Sequence, residues 1–210
     1  NSQGFASSSP QPCLTGMALW NGEIALARLF CEQQAALKVA RFRKTASVLE
    51  LGCGQALACM LVAELFQGLS LVLATDGCDE VLDIAATNIE TNLGSNTDTV
   101  VKLARLRWGV QEDINNAMSL NAGKPFDIVL GADITYGDDL DCLLATMSSL
   151  SHEHTEVWLT HEPRRRQLHG FEAALQREFQ SVTAFNMELK PAETGCSSLV
   201  PIIGWHCKGI

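Results

Sequence analysis

The chain has 210 residues, room for one domain with a proper core and too few for two ordinary ones. Hydrophobic residues make up 47% and charged residues 19%, a balance that excludes a disordered chain, and no apolar run approaches the roughly 20 residues of a membrane span. A formal net charge of −9 argues against a nucleic-acid binder, whose affinity comes from neutralising phosphates, and favours basic, lysine-bearing partners.

Asn1 to Gln11 is rich in Ser, Pro and Gln, and residues 1–14 are expected to form a mobile arm ahead of a single domain over 15–210. The chain opens on Asn1 rather than Met, and no secretory signal pattern leads it. Met17 to Arg43 carries Leu19, Ile24, Ala27, Leu29, Phe30 and Leu37 at helical spacing and reads as one or two helices. Ser47 to Leu51 is a short strand running into Gly52. Leu57 to Phe66 is a helix, Leu69 to Ala74 a strand ending at Thr75-Asp76-Gly77, and Asp79 to Asn92 an amphipathic helix.

A third strand is expected over Thr99–Leu106 and a fourth over Phe126–Leu130, closed by Gly131. A helix over Asp139–Leu150, a strand over Thr155–Thr160 and a helix over His169–Phe179 follow. Apolar stretches near 181–189 and 199–206 close the chain with no helix between them, which predicts an antiparallel hairpin on an otherwise parallel sheet. The fold class is therefore α/β: a Rossmann-like, seven-stranded, mostly parallel sheet with one antiparallel strand and helices on both faces. Eight cysteines form no CxxC pair or zinc pattern, and residues such as Cys53 and Cys142 lie in apolar segments. They read as reduced, buried thiols of an intracellular protein, with no metal site.

In open α/β sheets the ligand lies at the carboxyl ends of the strands. The first strand ends in Glu50-Leu51-Gly52-Cys53-Gly54-Gln55-Ala56, where two glycines let the backbone turn tightly and approach a ligand. Asp76 stands 24 residues beyond Gly52, close to where a nucleoside-binding fold places the carboxylate that accepts ribose hydroxyls. A dinucleotide fingerprint needs a third glycine where this chain has Leu57, and an acidic Glu50 suits a cationic cofactor better than a pyrophosphate. A dehydrogenase fits poorly. Glu50 as a strand-end carboxylate bonded to backbone amides, and Asp76 as a helix N-cap, remain open at this level.

Four ordered segments carry a more specific likeness. Val48-Leu49-Glu50-Leu51-Gly52-Cys53-Gly54, Thr75-Asp76-Gly77 with Asn88-Ile89-Glu90-Thr91-Asn92, Leu106-Arg107-Trp108-Gly109, and Asp127 to Tyr136 are joined by Thr15-Gly16-Met17-Ala18-Leu19-Trp20 near the start. Over residues 15 to 150 the chain resembles the seven-strand protein-lysine methyltransferases related to the calmodulin-, chaperone- and elongation-factor-modifying enzymes. The resemblance implies S-adenosylmethionine as cofactor, S-adenosylhomocysteine as product, and a protein substrate carrying the acceptor lysine.

It also implies roles. Trp20 would close over the methionine end of the cofactor; Gly52, Cys53 and Gly54 would meet its amino-acid part, with Glu50 beneath. Asp76 and Gly77 would hold the ribose, Trp108 would flank the adenine, and Ala132 would line the adenine-side wall. Asp133 and Tyr136 match the family's Asp-x-x-Tyr motif beside the methyl donor, so that removing the Asp133 carboxyl should cut turnover with little change in cofactor binding. Structural readings stand beside these: Trp20 as a helix anchor, Trp108 as a strand-end aromatic, Tyr136 as a capped loop residue, Asp133 as a helix cap.

The family usually follows the second glycine with a small polar residue and a third glycine, where this chain has Gln55-Ala56. Pro163-Arg164-Arg165-Arg166 is either a solvated loop or a contact for an acidic protein substrate. The scattered histidines carry no assigned role. A small-molecule or histidine methyltransferase on the same fold, and a weakly active cofactor-binding module, are the rival functions. The resemblance leans towards a monomer, with the cytoplasm as the expected compartment and the nucleus as a second.

Overall fold

A computed structural model describes residues 15–40, 42, 44–94, 97–135, 140–163 and 170–210, with backbone alone for 38–40. Tyr136, Arg164 to Arg166 and the arm expected over 1–14 lie outside the described residues.

A 3-10 turn at Thr15–Met17 leads into α1 (Asn21–Ala40). Then β1 (Ser47–Leu51), α2 (Leu57–Leu65), β2 (Leu71–Asp76), α3 (Asp79–Asn92) and β3 (Val101–Arg105) alternate, followed by α4 (Gln111–Leu120) and β4 (Phe126–Ala132). The second half comprises α5 (Leu140–Ser149), β5 (Ser151–His161), α6 (Phe171–Glu178), β6 (Ser181–Leu189), the short α7 (Pro191–Thr194) and β7 (Val200–Lys208). The sheet has seven strands in the order β3-β2-β1-β4-β5-β7-β6. Strands β1 to β5 pair in parallel, and β7 runs antiparallel to both β5 and β6. The expected architecture holds, with its one reversed strand second from the edge.

Two cores explain why the sheet is sandwiched. In β1, Val48 joins Leu26, Phe30, Val62 and Ala85 on the face covered by α1, α2 and α3. Leu49 and Leu51 point the other way, among Ile114, Leu143, Met147 and Leu175 from α4, α5 and α6. A strand buried on both faces reads as a continuous apolar run, which is why Val48-Leu49-Glu50-Leu51 was legible. Glu50 follows the period of two onto the face of Val48.

Four expectations change. The short α7 stands between β6 and β7, where no helix was expected, because Pro191 at its first turn and Gly195 after it punctuate a single turn, though the two strands still pair antiparallel. The sequence pattern gave no helix between β3 and β4, yet α4 is there; only Asp113, Ile114 and Ala117 of it are buried, too few apolar contacts for a periodic signal. Strand β5 begins at Ser151 rather than Thr155, because a register shift lets polar His152 and Glu153 extend the strand away from the core. Cys142 is exposed: α5 turns Leu143, Leu144 and Met147 inward and leaves the thiol outside. Cys53, Cys59, Cys78 and Cys207 are buried as expected, and the seven described cysteines are all free thiols.

Strand order reverses between β1 and β4, with β2 and β3 to one side and β5, β7 and β6 to the other. The crevice above the carboxyl ends of β1 and β4 is thus the place for a ligand.

Candidate active site

The loop after β1 supplies the floor. Gly52 and Gly54 take positive φ of 62° and 50°. A Cβ on Gly52 would lie 2.9 Å from Ile134 Cγ2 and 3.7 Å from Trp108 Cζ2, so only glycine leaves this surface clear. The buried Cys53 donates its N–H to Thr75 O at 2.7 Å, tying the loop to β2. Asp76, at the end of β2, accepts the Gly54 N–H at 3.3 Å and the Cys78 N–H at 3.1 Å. Burial, only partly offset by these bonds, raises its carboxyl above the ordinary aspartate range. Gly77 beside it is exposed, with nothing closer to a built Cβ than Arg107 Cγ at 3.7 Å, so no close approach demands glycine there.

Trp108 follows β3 and packs partly buried on the α4–α6 core, with its ring edge towards Gly52. Ala132 ends β4, half-buried and opposite Thr160 of β5. Trp20 precedes α1; its carbonyl accepts the Glu23 and Ile24 N–H groups, and its Nε1 donates to Thr15 O at 2.6 Å. The indole so holds the 3-10 turn down, and that turn lies on the glycine loop. Gly16 O is 3.5 Å from where a Gly54 Cβ would stand, and Gln55 Nε2 donates to Met17 O at 2.9 Å. Asn88 Nδ2 of α3 in turn donates to Gln55 O at 3.1 Å. Gln55 is therefore a tie between the leading turn and the loop.

Ala56, where the family resemblance implied a third glycine, takes the left-handed geometry, φ 62° and ψ 27°. The conformation costs an alanine roughly 1–2 kcal/mol. A glycine there would lose a buried methyl, about 0.8 kcal/mol, and gain unfolded-state entropy worth about 0.4–1 kcal/mol. These nearly cancel, so Ala56→Gly is expected to move unfolding stability by no more than about 1 kcal/mol, as read from the urea midpoint.

Asp133 closes the far side. It sits at φ 52°, a left-handed conformation that aspartate tolerates better than most residues. Its Oδ2 accepts the Gly22 N–H at 2.6 Å and its Oδ1 accepts the Glu162 N–H at 2.8 Å, with His161 Nδ1 3.3 Å from Oδ1. Thr160 Oγ1 donates to Gly22 O at 2.8 Å, and Asn21 Nδ2 to Glu162 Oε2 at 2.9 Å. The first turn of α1 is thus bolted to the ends of β4 and β5. A Cβ on Gly22 would fall 2.5 Å from Asp133 Oδ2, which forbids a side chain there.

Sequence reasoning passed over Gly22 and Glu23. Glu23 is 5% exposed and its Oε1 accepts the Leu57 N–H at 2.8 Å, capping α2 from a distance where Ala56 offers no side-chain cap. The signal was present: Glu23 shares one helical stripe with Leu26 and Phe30, at spacings of three and seven, so a carboxyl stood in an apolar face. Glu50, 1% exposed, accepts the Cys59 N–H at 3.2 Å. Burial is the first cause that raises both carboxyls, Glu50 to about 8 and Glu23 to about 7, and repulsion within this acidic group adds to it. Three carboxyls and a glycine cradle suit a ligand with a cationic amino-acid end and a diol, and repel a pyrophosphate. A cavity of about 670 Å³ at the opposite end of the sheet, lined by Lys44, Thr45, Asp127 and His152 among others, is remote from these groups.

Sheet order, glycine cradle and strand-end acids together define a class I methyltransferase fold. Solved structures agree at the level of fold. An O-methyltransferase from Bacillus cereus in complex with SAH superposes with a TM-score of 0.58 at 17% identity, covering 91% of this chain and 83% of that one. The magnesium protoporphyrin IX methyltransferase of Synechocystis with bound SAM gives 0.58 at 13%, covering 89% and 80%. The family model described as lysine methyltransferase matches residues 12–178, and the chain belongs to that family. Protein-lysine N-methyltransferase EFM3 of Chaetomium thermophilum is 31% identical over 173 residues, 80% of this chain and 49% of that protein. Protein N-lysine methyltransferase METTL21A of Mus musculus is 30% identical over 134 residues, 63% of this chain and 57% of that protein. The chain spans about half the length of these relatives.

Proposed function

We propose that the protein transfers a methyl group from S-adenosylmethionine to a lysine side chain of a protein substrate, leaving S-adenosylhomocysteine. The observation that carries this reading is the glycine cradle set over buried acids in a chain of the lysine methyltransferase family. Glu50 and the Gly52–Gly54 backbone would take the amino-acid end of the cofactor, Asp76 with Gly77 the ribose, Trp108 and Ala132 the adenine, and Trp20 the methionine side. The bound cofactor supplies an electrophilic methyl. What the chain does is align the acceptor and exclude water, since in-line displacement asks for positioning above all. The acceptor lysine must shed a proton, which at pH 7 costs roughly 4–5 kcal/mol from a reference pKa near 10.4. Asp133, with Tyr136 three residues on, would orient the arriving ammonium, and desolvation would then favour the neutral amine. The proposal carries with it a monomer working in the cytoplasm, with the nucleus as a second compartment, on protein rather than nucleic acid.

The test is transfer of a labelled methyl group from S-adenosylmethionine into a host-cell lysate, with Asp133→Ala run beside it. A labelled protein band that fades with the variant supports the proposal. Label only in small molecules, or blank lanes despite calorimetric cofactor binding, overturns it.

A further inference from the structure

Two acidic side chains converge on the first turn of α2 from different elements. Glu23 arrives from α1 and takes the Leu57 N–H; Glu50 arrives from β1 and takes the Cys59 N–H, two residues along the same turn. Both are nearly excluded from solvent. Among the described residues every ion pair lies elsewhere, so neither carboxyl has a basic partner. The titratable groups facing them are Cys53 of the glycine loop, Cys59 of α2, Asp76 of β2 and Asp133 just after β4, the last beside His161 of β5. No lysine or arginine is among these. The helix N-terminus offers partial positive charge to one carboxylate, but two ionised carboxylates on one turn repel each other in a low dielectric.

We propose that at least one of Glu23 and Glu50 carries a proton when the pocket holds no cofactor, and that the α-ammonium group of the cofactor ionises it, so that each binding event sends about one proton to solvent. Glu23 is then a positioning residue for cofactor binding, acting through α2 and Glu50. The inference rests on the reading of the chain as S-adenosylmethionine-dependent. The direction of both carboxyl shifts agrees with it, with burial as the main cause. The sign follows: protons compete with the cofactor, so affinity rises with pH and levels off once the pair is ionised. One proton allows at most about a tenfold change per pH unit. The useful window runs from about pH 6 to 7.5, below the point near 7.7–8.0 where a free α-amino group loses its own proton.

The experiment is calorimetric titration of the whole chain with S-adenosylmethionine at about pH 6.5, in two buffers of different ionisation enthalpy, with Kd followed across the window. Release of about 0.5–1 proton and a Kd roughly fivefold to tenfold weaker at pH 6 than at pH 7 are expected. E23Q keeps an oxygen for the Leu57 N–H and should lose more than about half of both effects. Unchanged release in E23Q removes Glu23 from the pair and overturns the proposal. Binding without proton release and with a flat pH profile in the unaltered protein also overturns it, while leaving the cofactor reading intact. No binding at any pH overturns that reading, and this one with it. Should E23Q fail to fold, release and pH profile of the unaltered protein decide.

Discussion

Replacing Asp133 with alanine is expected to cut methyl transfer by at least about tenfold and to weaken cofactor binding as well. The second effect departs from the sequence-based expectation of little change in cofactor binding, and the reason is geometric. Both Asp133 oxygens already hold backbone N–H groups, from Gly22 at 2.6 Å and Glu162 at 2.8 Å. The Gly22 bond fixes the first turn of α1, and that turn carries Trp20 and Glu23, which reach the leading 3-10 turn and the start of α2. Alanine leaves two largely buried donors unpaired, at about 1–3 kcal/mol each, so a stability loss of about 2–6 kcal/mol accompanies the lost turnover. Denaturant melts, calorimetry and turnover on one preparation check all three. Gly22→Ala should produce a similar loss, because its methyl would displace the same carboxylate. The two changes together should cost clearly less than their sum, since each breaks the same contact. An Asp133→Ala protein with undiminished turnover and an unshifted melt would sink this account.

Asp76→Ala is expected to weaken S-adenosylmethionine binding by about 100-fold or more. Two charge-assisted hydrogen bonds to ribose hydroxyls, at about 1.5–3 kcal/mol each, set that scale. The loss of stability should be smaller, about 1–2 kcal/mol, because the bonds from the buried Gly54 and Cys78 N–H groups are long, 3.3 Å and 3.1 Å. A large affinity loss beside a small stability loss is the signature of a binding residue; the reverse ratio is that of a helix cap. Asp76→Asn, which keeps one acceptor oxygen, should fall between, at roughly tenfold in Kd. Calorimetric titration gives the affinities and urea unfolding the stabilities. An alanine variant within about threefold of the original Kd would remove Asp76 from the ribose site.

Much of this architecture was legible before any coordinates. Period-two and period-3.6 patterns placed the seven strands and most of the helices, most plainly in β1 and β2, where residues buried on both sheet faces must be apolar whatever their partners. The order of Glu50, the two glycines, Asp76, Trp108 and Asp133 along the chain marked the strand ends, since in a parallel sheet each strand's carboxyl end returns to the same edge. Helix α4 and the first residues of β5 escaped, for their side chains are mostly polar and their positions are dictated by neighbours. Cys142 escaped too, because the rotation of α5 about its axis decides which side of an apolar segment faces water. Tertiary structure alone decided that Gly22 must lack a side chain against Asp133, that Gln55 ties down the leading turn, and that Glu23 and Glu50 meet on one helix end. These contacts join positions 22 with 133, 55 with 17, and 23 with 57, pairs that no local spacing rule connects. A sequence records which side chains must be buried; which polar groups then face each other is settled only when the elements pack.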